Sequence, residues 1–169
     1  MAKKRHIGHF LSFKFTDRKE IIEGIVIDHN KDWTLLKYCP VDYVVDGFVI
    51  FRNKNIEGYR RANEERFKEK IMKLKGAMPV EDDIVPLYNI ETILQYLNEK
   101  HKVFYIELTS ERAMYPGRLR TIDTQKLVLD FLDTDGKWRG KVTFKPGNVR
   151  IIYFDNDYLN SLKLISGKK

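Results

Sequence analysis

The 169-residue sequence has one cysteine, Cys39, so no internal disulfide can brace the fold and a reducing compartment is expected. No apolar run approaches the roughly 20 residues a membrane-spanning helix needs. The opening MAKKRHIGHF has no long apolar core of the kind a secretory signal uses. A cytoplasmic protein without membrane contact is expected. The motifs GxSxG, GxxxxGK[ST] and GxGxxG are missing, as are the metal-ligand spacings CxxC and HExxH. Four histidines (His6, His9, His29 and His101) do not form a ligand set, and Glu81, Asp82 and Asp83 lie between prolines, where acids read as a solvated loop. No catalysis, cofactor or metal is expected.

Charge is plentiful and uneven. The formal net charge is +7. Residues 1–60 carry 11 Lys and Arg against 8 Asp and Glu, residues 61–101 carry 7 against 8, and residues 102–169 carry 13 against 8. Such a surplus suits a polyanion ligand and equally suits simple solubility.

The chain holds one stretch twice. FKFTDRKEIIEGIVIDHNKDWTLL at 13–36 is echoed by IELTSERAMYPGRLRTIDTQKLVL at 106–129, with Gly24/Gly117, Thr16/Thr109, Gly47/Gly140, Phe51/Phe144 and Asn55/Asn148 all 93 residues apart. Leu11, Phe13 and Phe15 alternate as in a strand with one buried face. A glycine inside the next β-branched run marks a bend that lets a small sheet curl. Two sets of five short strands follow, with Asp46-Gly47 and Asp135-Gly136 as turns. Asn63 is expected to cap a helix with Phe67, Ile71 and Leu74 as its buried stripe, and Asn89 a second with Ile90, Ile93, Leu94 and Leu97. A last helix is expected from about Asp155 to Gly167. The reading is mainly β with helices (α+β), in the order 7–75 barrel plus helix, 76–88 linker, and 89–169 helix, second barrel and C-terminal helix.

FKFTDRKEIIEGIVIDHNKDWTLLKY resembles the first Sm motif, and LRTIDTQKLVL, with Ile122-Asp123 before its turn, resembles it more closely. The resemblance implies two tandem Sm/SH3-like five-stranded small barrels, open and strongly bent, with helices laid over them. The whole chain also resembles a group of conserved bacterial proteins, on DGFVIFR at 46–52 and IIYFDNDYLNSL at 151–162; that likeness carries no activity.

Two binding readings follow. Open barrels have strand edges that accept peptides, so a non-catalytic protein-interaction or scaffolding module is expected, with homo-oligomers formed by edge-strand pairing in view. The alternative is RNA or single-stranded nucleic acid on the basic second unit. Lys137, Arg139 and Lys141 have period two and are expected on one face, Arg118 and Arg120 on another strand, and Lys145 and Arg150 nearby, with Trp138 or Tyr115 to stack on a base. The competing reading is that these cations guard exposed edge strands against aggregation.

Overall fold

A computed structural model describes residues 4–109 and 113–167. The chain divides into two compact units, Met1–Ile84 and Val85–Lys169. Val85 and Leu87, in the stretch expected to be a linker, are buried.

The first unit contains β1 (Phe10–Phe15), β2 (Arg18–His29), β3 (Trp33–Tyr38), β4 (Phe48–Arg52), β5 (Ile56–Arg60) and α1 (Asn63–Leu74). All pairings are antiparallel, in the order β5-β1-β2-β3-β4. Aromatic rings seal one face: Phe51 meets Phe13 at 5.0 Å and Phe15 at 5.2 Å between ring centres, both edge to face. Phe10, Ile25, Cys39 and Met72 fill the other.

The second unit contains α2 (Ile90–His101), β6 (Phe104–Leu108), β7 (Met114–Ile122), β8 (Leu127–Leu132), β9 (Trp138–Phe144), β10 (Val149–Phe154) and α3 (Asp157–Ser166). Its strand order, β10-β6-β7-β8-β9, matches that of the first. The repeat extends to single ladder positions. Gly24 opposes Tyr38 and Gly117 opposes Phe131, again 93 apart, and each β-bulge follows two residues later. At both glycines an added Cβ would collide with a carbonyl oxygen, that of Lys37 or of Asp130. This is the close backbone approach that only glycine permits. A single turn of 3-10 helix joins the last two strands of each unit, at Asn53–Asn55 and Pro146–Asn148.

The expected barrels are not closed. Within each unit the outermost strands of the order are not hydrogen-bonded to each other, so five strands form an open sheet. The mainly β fold with three helices is as expected.

The helices divide. Asn89 caps α2 by accepting from Thr92 N–H at 2.7 Å, and Ile93, Leu94 and Leu97 are fully buried. Asn156 caps α3, which therefore starts at Asp157, and Leu159 and Leu162 join Val103 and Leu132 in the core. Helix α1 reverses the expectation: it is capped by Ala62 without a side-chain bond, and the residues it buries are Glu65, Glu69 and Met72.

Candidate functional site

The basic positions of the second unit do not form one stripe. Arg139 and Gly140 together oppose Phe131, because Trp138 pairs with Leu132 and Lys141 with Asp130. Gly140, at φ 97°, supplies the bulge. It breaks the period-two alternation, so Lys141 shares a face with Trp138 and Arg139 leaves it. Arg118 and Arg120 both donate to Asp130, at 3.2 and 3.1 Å, and Arg139 donates to Asp133. Partial burial would raise the Asp130 carboxyl, but the two guanidiniums hold it below its ordinary value; the Arg139 guanidinium does the same to Asp133. Arg118 lies over the Trp138 ring at 4.1 Å and so covers one of its two stacking faces. Tyr115 packs on Phe144, with ring centres 4.8 Å apart. Lys137, Lys141 and Lys145 are exposed, whereas Arg150 is buried in β10. The structure thus brings together Arg118, Arg120, Trp138 and Lys141, balanced by one carboxylate, and leaves the others apart.

Cys39 is buried, and burial, with Glu23 adding to it, pushes its thiol up to about 11. Among the described residues no group of three or more His, Cys, Asp or Glu is placed to hold a metal ion.

A second surface, on α1, escaped the sequence reading. Glu65, Glu69 and Met72 recur at i, i+4 and i+7 and define the inward face. Glu69 accepts from the Phe10 N–H at 2.8 Å, from Arg61 through both oxygens at 3.1 Å and from Lys73 at 3.3 Å. Burial raises its carboxyl, yet these donors outweigh burial and hold it below the usual carboxylate range. Glu65, fully buried, accepts from Arg60 through Oε1. Lys68 donates to Glu23 at 2.8 Å, and Ser12 donates to the other oxygen of Glu23 at 2.7 Å. Charges therefore pin α1 to its sheet.

The two ends of the apolar stripe consequently point to solvent. Phe67 is 54% exposed and Leu74 79%, whereas Ile71, between them, packs as expected against the core of Phe10, Ile25, Cys39 and Met72. The β3–β4 loop extends this patch: Tyr43 meets Phe67 edge to face at 6.0 Å, and Lys75 donates to the Tyr43 carbonyl at 2.6 Å. Val41 and Val44 of that loop are exposed too. Arg66, Lys70 and Lys75, also exposed, rim the patch. The readable signal was Arg60-Arg61 followed by glutamates four to eight residues on.

Comparison with protein-family profiles, with curated proteins and with solved structures finds no match to this chain.

Proposed function

We propose that the chain is a non-catalytic protein-interaction module, built on two Sm/SH3-like small barrels left open, that docks an acidic amphipathic segment of a partner protein on the outer face of α1. The carrying observation is the inversion of α1, which buries carboxylates and presents Phe67 and Leu74 outward. Fully covering a side chain of this size contributes up to about 1.5–3 kcal/mol, so Phe67 and Leu74, with Tyr43 beside Phe67, are the apolar anchors of the contact. The Arg66, Lys70 and Lys75 rim selects acidic flanks. Nucleic-acid binding on the second unit is the lesser reading, since Asp130 and Asp133 already engage three of its arginines.

A photo-crosslinking residue at position 67, used in cells, tests the proposal. The expected outcome is an adduct with an identifiable protein whose crosslinked segment is acidic and amphipathic. Binding of that purified protein should fall at least tenfold on Phe67→Glu and weaken with salt. Adducts only with a second copy of this chain, with RNA or with lipid, or none at all, would overturn it.

A further inference from the structure

Three of the four histidines gather at one place in the first unit, where the segment before β1 turns back over the sheet. His6, at φ 65°, and Gly8, at φ 84°, make that turn. Side chains tie it down: His29 Nε2 meets the Arg5 carbonyl at 2.8 Å, His6 Nε2 meets the Tyr59 hydroxyl at 3.0 Å, and Lys4 pairs with Asp28 at 2.7 Å. The Nδ1 atoms of His6 and His9 lie 3.2 Å apart, so one of them must be bare of hydrogen.

Beneath the turn is a cavity of about 340 Å³. Leu11, Phe13, Val26 and Ile56 supply an apolar floor, drawn from three strands. Arg5, His6, His29 and Tyr59 supply its rim, and no carboxylate lines it. An apolar floor under a few convergent polar groups is the usual form of a small-molecule site. Thr34 and Asn53 add neutral polar groups, so the ionisable side chains of the lining are cationic or basic apart from the Tyr59 phenol.

We propose that this cavity binds a small aromatic carboxylate, its ring on the Leu11, Phe13 and Val26 floor and its carboxylate at Arg5, beside the His6 ring, with a proton taken up by the rim as it binds. The chemistry follows from the groups that face the histidines. Burial, then His9, Arg61, Arg5 and His29, all disfavour a charged His6. His9 is likewise held down by burial and by Arg61, Lys73 and Arg66, opposed only by Glu69. At His29 the acid nearby, Asp28, accepts from the His29 backbone N–H and is paired with Lys4. An anion placed at the rim opposes these effects on His6 and favours its protonated form. Binding and protonation are then reciprocal, and affinity rises as pH falls through the range where His6 titrates.

The test is calorimetry on the full chain with naphthalene-2-carboxylate and with the neutral 2-naphthalenemethanol, at pH 8 and pH 6. The carboxylate should bind saturably, at least tenfold tighter than the alcohol, and severalfold tighter at pH 6 than at pH 8. Arg5→Ala, a change at an exposed residue, should weaken it at least fivefold, and His6→Phe should remove the pH dependence while retaining binding at pH 8. Methyl resonances of Leu11, Val26 and Ile56 should shift on titration. Equal binding of acid and alcohol, pH-independent binding by the unaltered chain, shifts confined to other residues, or no saturable binding of either compound would each overturn the proposal.

Discussion

Replacing Glu69 with alanine should damage the first unit far more than replacing Phe67 with alanine, the reverse of what hydrophobicity alone would say. Glu69 is almost fully buried and satisfies the Phe10 N–H, Arg61 and Lys73 together. Its loss leaves the Phe10 amide unpaired, which costs about 1–3 kcal/mol. It also strands the Arg61 guanidinium, whose side chain is only 17% exposed. Removing one partner of a buried pair costs about 3–5 kcal/mol; the exposure of Lys73 reduces its own share to near zero. Taking the low end of each, about 4 kcal/mol is therefore expected for Glu69→Ala, or roughly 16–32 °C in the melting temperature of a unit this size. Phe67→Ala should stay within about 0.5 kcal/mol, because little apolar area leaves the core.

The two variants can be compared by urea and thermal unfolding followed by circular dichroism. The sign with pH is also set. The Glu69 carboxyl lies below its ordinary value in the folded chain, so its contribution is present above the unfolded value of about 4.3 and is lost as pH falls through the lower folded value. Stability should thus decline less steeply with acid in Glu69→Ala than in the parent. A destabilising Phe67→Ala beside a neutral Glu69→Ala would refute the orientation of α1.

Three further outcomes are expected. Gly24→Ala and Gly117→Ala should each cost about 3 kcal/mol or prevent folding, because a Cβ at either place meets the carbonyl across the ladder; a tolerated change at either position, seen in a melting curve, would contradict the shared geometry. Cys39 should react with a disulfide reagent at pH 8 about 100-fold more slowly than a free thiol, since its pKa is about 11 instead of 9.0; fast modification of the folded chain would show the thiol to be accessible. Asp130→Asn should release Arg118 and Arg120 and raise the affinity for a labelled poly-uridine oligonucleotide severalfold at low salt; unchanged retention in a filter assay would count against any role for this face with polyanions.

Much of the framework was legible because it rests on short-range rules. Period-two apolar runs, the paired glycines and the 93-residue offset all describe strands that bend at the same ladder position. Asn89 and the Ile93, Leu94 and Leu97 stripe of α2 obeyed capping and amphipathicity together. Helix α1 offered two competing stripes, and Phe67, Ile71 and Leu74 were the natural choice for the inside. The balance was decided by Arg60, Arg61 and the Phe10 amide, groups that lie outside the helix and give glutamates a reason to be buried. The basic face failed for a different reason. A single bulge at Gly140 broke the alternation, and the acids that answer the arginines come from β8 and from the turn that follows it. The histidine-rimmed cavity draws on residues from Arg5 to Tyr59 and leaves no local trace.

The duplicated bend has a bearing on how the chain reaches this state. Two ladders with interchangeable backbone geometry, in one polypeptide, invite a hairpin from one copy to dock on the complementary strand of the other during refolding. The backbone offers no discrimination at the glycine crossings, so correct sorting falls to the side chains that differ there, Lys37 in one copy against Asp130 in the other. Making those two positions alike should slow productive refolding more than it weakens the finished fold.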